Sequence, residues 1–144
     1  GRADIKSISL LPNVLAKQKA VMNDFTEAWF VESSGRITEG ASTNAWIVDA
    51  NGNLITRGLG KHILAGVTRK RVMGLAVSNG LNIFERGFTV AEAYSASEAF
   101  LTSTTAGVMP VIKIDDHQIA DGSPGKVTSK LCALYSKFLD DFQR

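Results

Sequence analysis

The tripeptide Asn51-Gly52-Asn53 constrains this chain more than any other local feature. It separates two apolar runs, TNAWIVDA (residues 43–50) and LIT (54–56). An Asn-Gly pair between such runs supplies the positive-φ positions of a tight hairpin turn, and a hairpin commits the chain to antiparallel pairing there. The remaining segments are of both kinds. LLPNVLAKQKAVMNDF (10–25) predicts a helix, with Pro12 in its first turn and a mostly apolar face of Leu11, Val14, Leu15, Gln18, Val21 and Met22. TEAWFVE (26–32) predicts a strand, and SSGR (33–36) a turn around Gly35. TRKRVMGLAVSNG (68–80) predicts a helix with Thr68 as N-cap and Gly80 at its end. NIFERG (82–87), EAFLTS (98–103) and VMPVIKID (108–115) predict strands, and DDH (115–117) a turn. TVAEAYSA (89–96) predicts a short helix opened by Thr89, and residues 125–142 a long final one. Strands and helices mix without strict alternation, which predicts an α+β fold rather than a doubly wound sheet.

A chain of 144 residues, 44% apolar and 21% charged, suits one domain with a real core. Sixteen basic residues against 14 acids give a net charge of +2, which leaves no footprint for nucleic acid or an anionic membrane surface. No apolar run approaches 20 residues, so no membrane-spanning helix is expected. The single cysteine, Cys132, excludes an internal disulfide and fits a reducing, cytoplasmic setting.

Lys6 interrupts the apolar run ADIKSISLL (3–11). Such a lysine is either a surface residue of an edge strand or a desolvated amine with a lowered pKa, able to act as a nucleophile. Its place so near Gly1 leads to the expectation that an N-terminal part is missing from this stretch. Three segments, EGASTN (39–44), LAGVTR (64–69) and TSTTAG (102–107), are rich in Gly, Ser and Thr and flank apolar elements. They are either ordinary capping turns or nests of N–H groups and hydroxyls that hold an anion. In GVTRKR the loop runs straight into a helix start, where free N–H donors and the helix dipole favour a phosphate. No Gly-Lys-Ser/Thr follows the glycines, so the stricter phosphate loop is absent. Glu39 stands where a strand gives way to a glycine turn. It is either a solvated acid or a carboxylate that holds a proton on a heterocyclic nitrogen. His62 and His117 have no partner ligands in sequence, Asp115, Asp116 and Asp121 lack a calcium-loop pattern, and no metal site is expected. No nucleophile-elbow serine appears either.

Four motifs, ADIKSISLLPNVLAKQKA, ITEGASTNAW, HILAGVTR and AFLTSTTAGVMPVIKIDD, occur in an order that resembles the class IV (fold-type IV) pyridoxal-phosphate aminotransferases, most closely those acting on D-amino acids. The likeness covers essentially all 144 residues, but only the C-terminal half of such an enzyme. It implies a mixed sheet or pseudo-barrel with flanking helices, and residues 1–144 as a C-terminal cofactor-binding domain whose N-terminal companion is absent. It further implies pyridoxal 5'-phosphate as cofactor, an amino acid and a 2-oxo acid as substrates, and a homodimer.

The resemblance also implies roles for particular residues. Lys6 is the amine that forms the Schiff base with the cofactor and carries the proton to and from the substrate α-carbon. Glu39 pairs with the pyridine nitrogen. Leu64 packs against the ring face. Val67 and Thr68 contact the phosphate through backbone N–H and hydroxyl, Ser103 and Thr104 form a second phosphate-side loop, and Ser42 lies near the cofactor. The run KSISLLPN after the lysine differs from the Asn-Tyr and glycine context usual in branched-chain aminotransferases, and so favours the D-amino-acid type. A branched-chain aminotransferase, an aminodeoxychorismate lyase of the same fold, and a non-catalytic phosphate-binding domain or inactive fragment are the competing expectations.

Overall fold

The computed structural model describes residues 11–58 and 66–142, with side chains from Asn13 onward in the first segment. Lys6, His62 and Leu64 lie outside the described residues. In chain order the elements are α1 (Leu11–Met22), β1 (Trp29–Val31), β2 (Arg36–Gly40), β3 (Asn44–Val48), β4 (Leu54–Thr56), α2 (Val67–Ser78), β5 (Ile83–Glu85), β6 (Phe88–Thr89), α3 (Val90–Ser95), β7 (Glu98–Ser103), β8 (Gly107–Val111), β9 (Lys113–Ile114), β10 (His117–Gln118) and α4 (Lys126–Phe142).

The α+β class holds. A five-stranded sheet runs β5-β4-β3-β7-β8, antiparallel except where β4 and β5 lie parallel. A three-stranded sheet, β1-β2-β6, packs over one of its faces. Strand β3 is central, and all five of its residues are buried. Ala45 and Ile47 join a cluster with Ile37 of β2 and Phe88 of β6. Trp46 and Val48 join a second cluster with Val72 and Ala76 of α2 and Leu131 of α4. A strand covered on both faces has no polar side, which is why residues 45–48 read as a continuous apolar run instead of alternating. The pseudo-barrel takes the form of two open sheets closing on a shared core.

The hairpin forms as its sequence predicts. Val48 pairs with Leu54, Gly52 adopts φ +80°, and Asp49 Oδ1 accepts from the backbone N–H of both Asn51 and Asn53 at 2.9 Å. Thr89 opens α3 with a complete capping box: its hydroxyl accepts from Glu92 N at 3.1 Å while Glu92 Oε1 accepts from Thr89 N at 3.2 Å. Arg86 also bonds Glu92, at 2.9 Å, and this is the main cause that holds its carboxyl below the ordinary range. A depressed folded-state pKa contributes stability above the unfolded value and loses it as pH falls through the folded one. Thr89→Ala is therefore expected to cost about 1 kcal/mol in urea denaturation, the usual loss of a helix cap.

Three expectations are corrected. The apolar face of α1 points to solvent: Val14, Leu15, Val21 and Met22 are exposed, whereas Ala20 is buried. The small-residue side approaches the protein more closely, and Asn13 Nδ2 donates to Ala41 O at 2.7 Å from that helix. Residues 108–115 form two strands, not one, because Ile112 O accepts from Ile119 N at 2.9 Å and β9 turns back on β10. Thr68 is not a cap, for a reason that belongs to the site.

Candidate functional site

The described parts of the three Gly/Ser/Thr segments (residues 39–44, 66–69 and 102–107), far apart in sequence, meet at one end of the five-stranded sheet. Register does part of this. Asn44, the first residue of β3, faces Thr102 near the end of β7, so residues 39–44 and 102–107 share that edge. A tight turn, with Gly40 N donating to Thr43 O at 2.8 Å, links β2 to β3. The third segment arrives through a close approach: a Cβ built on Gly66 would stand 2.3 Å from Asn44 Oδ1.

That approach explains the misplaced cap. Helix α2 begins at Val67, with Gly66 as N-cap at φ −66°, ψ 136°. Asn44 occupies the space a side chain would need, so only glycine fits, and Thr68 falls inside the first turn, 4% exposed. Gly66→Ala is expected to destabilise the protein by about 1–3 kcal/mol in thermal denaturation, as overpacking at a close contact does. Helix α2 has no side-chain cap bond and no acid in its first turn. Its leading N–H groups therefore lack the side-chain acceptor that usually quenches them. Helix α4 is the contrast. Glu98 accepts from Val127 N at 3.1 Å and Thr128 N at 2.7 Å, closing that helix start with the chain's own carboxylate.

The other site residues divide by what they touch. Glu39 sits on β2 one residue before the Gly40 turn, 6% exposed, and a carboxylate so buried is retained at a desolvation cost. Val67 is 82% exposed, leaving its backbone N–H as the group it can offer at the helix start. Ser103 Oγ accepts from Ala106 N at 2.9 Å and lies 3.5 Å from Thr105 Oγ1, so it holds the 103–106 turn. Thr104 is exposed in that turn. Ser42 is exposed as well, and its backbone N–H (3.2 Å) and hydroxyl (3.0 Å) both donate to Glu27 Oε2. Glu27 also accepts from Ala28 N at 2.9 Å and pairs with Lys17 at 3.7 Å, so it clamps the 41–43 turn from outside the motif. Asn44 and Glu27 were not legible as site residues, since neither carries a local signature.

Among the described residues no group of three or more His, Cys, Asp or Glu could hold a metal ion, and no helix is long and apolar enough to cross a membrane. His117 is exposed and stacks on Tyr94 at 3.7 Å between ring centroids. What converges is a helix start with open N–H donors, a hydroxyl-bearing turn beside it, and a buried acid at the neighbouring strand end. That set suits an anionic group attached to something that needs a carboxylate partner.

Residues 1–114 match the family model described as Amino-transferase class IV. A D-alanine aminotransferase from Bacillus licheniformis is 41% identical over 141 residues, covering 97% of this chain and 49% of that protein. One from Staphylococcus haemolyticus is 39% identical over 140 residues, covering 96% and 49%. The chain thus spans about half the length of the curated relatives it matches. Among solved structures, the branched-chain amino acid aminotransferase from Thermobaculum terrenum in its PLP form superposes with a TM-score of 0.90 at 33% identity, over 96% of this chain and 46% of that one.

Proposed function

The chain belongs to the class IV aminotransferase family, and from that premise we propose that residues 1–144 are the C-terminal cofactor-binding domain of a pyridoxal-phosphate transaminase acting on a D-amino acid and a 2-oxo acid. The observation that carries this reading is the convergence of the Glu39 turn, the α2 start and the Ser103 turn on one sheet edge. The residues fit the cofactor. The open N–H groups of α2 with Val67 and Thr68, and the turn of Ser103 and Thr104, would hold its phosphate. Glu39 would hold the proton on its ring nitrogen, Leu64 would support the ring face, Ser42 would border it, and Lys6 would anchor its aldehyde carbon.

Bound there, pyridoxal phosphate supplies an electron sink for the substrate's α-carbon. The chain's own work is to place and move protons. Lys6 Nζ would serve as the base for the substrate α-carbon proton, which requires an amine that is neutral for part of its time. Glu39, kept from water by burial, would keep the ring nitrogen protonated. Phosphate contacts from the start of α2 and the Ser103 turn would hold the ring in one orientation. Two half-reactions through one amine carrier predict ping-pong kinetics.

The choice of a D-amino acid rests on the D-alanine aminotransferases, such as the one 41% identical over 141 residues. A branched-chain substrate is the second reading, supported by the solved branched-chain enzymes that share the fold at about 30% identity. The reading extends to a cytoplasmic homodimer completed by an upstream domain, consistent with the unpaired Cys132. The test is turnover by the protein carrying that upstream half, with D-alanine and L-leucine offered separately against a 2-oxo acid. Faster turnover of D-alanine supports the first reading, and faster turnover of L-leucine replaces it with the second. Absence of turnover with both, in protein that binds no pyridoxal phosphate, overturns the transaminase assignment.

A further inference from the structure

We propose that Arg69 is a positioning residue that braces the start of α2 and the Ser103 turn against a single indole, so that both present one phosphate site; this rests on the cofactor reading above. Arg69 is 2% exposed, although it is a cation in the first turn of a helix. A positive charge there opposes the helix dipole, and its burial carries a desolvation cost, so helix stability alone does not account for it. Its partners lie elsewhere in the fold. One terminal nitrogen donates to Arg57 O at 2.7 Å, where the chain leaves β4, and pairs with Glu85 Oε1 of β5 at 3.3 Å. The other donates to Met73 Sδ at 3.2 Å, one turn along α2. Arg69 Nε, fully buried, has no hydrogen-bond partner among the described residues.

The guanidinium also lies 5.9 Å from the ring centroid of Trp46. Trp46 is itself buried, stacks on Phe100 at 5.2 Å, and donates from Nε1 to Thr102 Oγ1 at 3.0 Å. Thr102 directly precedes Ser103, whose hydroxyl holds the 103–106 turn. The contacts therefore run unbroken from the residue after Thr68, through Trp46, to the residue before Ser103. Moving Arg69 shifts the N–H donors of α2 relative to the hydroxyls of the turn, and a phosphate that needs both loses affinity. Lysine cannot replace the fork, because it offers a point charge without planar stacking or two separated donor nitrogens.

The test compares pyridoxal phosphate with pyridoxal, which lacks the phosphate, on the protein carrying its upstream half. Arg69→Lys is expected to weaken pyridoxal phosphate binding about tenfold or more, the effect typical of a lost supporting contact behind a binding group. Pyridoxal affinity should change less than about twofold, so the ratio of the two affinities falls. A merely structural role would lower the melting temperature and leave that ratio unchanged, and this result overturns the proposal. Where Arg69→Lys does not fold, Trp46→Phe carries the test. It keeps an aromatic ring but removes the donor to Thr102, and the same fall in ratio is expected. A wild-type protein that binds pyridoxal phosphate no better than pyridoxal defeats the cofactor reading itself and this inference with it. An unchanged ratio in the variants against a high wild-type ratio defeats this inference alone.

Discussion

Lys6→Ala is expected to lower transamination by at least about 1,000-fold, since one side chain would carry both covalent attachment and proton transfer. General acid–base catalysis alone contributes about 10²- to 10⁴-fold. The loss should fall on kcat, because the phosphate and ring contacts proposed for Glu39, Thr68 and Ser103 would remain to bind cofactor. Addition of pyridoxal phosphate to the parent protein should produce an absorbance band near the violet edge of the visible range, and the alanine variant should lack it. A small primary amine added to the variant should restore part of the proton transfer without restoring attachment. Retention of the band and of turnover in Lys6→Ala would place the reactive amine elsewhere and remove the basis of the mechanism.

What was legible in the sequence was what local chemistry determines. The Asn51–Asn53 turn needs only Gly52 at positive φ and the Asp49 carboxylate two residues before Asn51, all within five positions. The Thr89 cap needs Glu92 three residues on, a spacing that shows in any single sequence. The start of α2 escaped because its glycine N-cap is imposed by Asn44, 22 positions earlier. The break at Ile112 escaped because a carbonyl seven residues from its partner decides it. Glu98 gives no hint in sequence that it closes a helix about 30 residues later. The same division applies to the site. Each Gly/Ser/Thr loop is visible alone as a possible nest, but that the loops share one edge depends on the β3–β7 register. Arg69 looks like any basic residue of a helix until its burial under Trp46 is seen. Ser42 marks the turn correctly, yet the group that holds this turn is Glu27, fifteen positions away.

Glu39→Gln is expected to lower kcat about 100-fold while leaving the fold intact, and this separation of effects makes it the more discriminating of the two substitutions. Glutamine has the same shape and can still accept and donate hydrogen bonds, but it cannot carry the charge that keeps a ring nitrogen protonated. The backbone around it is held independently of that charge. Gly40 N bonds Thr43 O, a Cβ at Gly40 would meet Thr43 Oγ1 at 2.1 Å, and Ile37 on the same strand is packed in the core. Replacing a buried carboxylate by a neutral isostere removes a desolvation cost but also weakens the contact the acid makes, so the fall in kcat is to be read on protein whose melting temperature shows it folded. Affinity for pyridoxal phosphate should change only a few-fold, since the contacts proposed for its phosphate lie on α2 and the Ser103 turn. Glu39→Asp keeps the charge but withdraws it by one methylene, and an intermediate kcat is expected. Rates of both half-reactions, measured by single-turnover absorbance, should fall together, because the same ring serves each. If Glu39→Gln kept the parent kcat, the buried acid would be a structural group of β2 and the ring nitrogen would have to find its partner elsewhere.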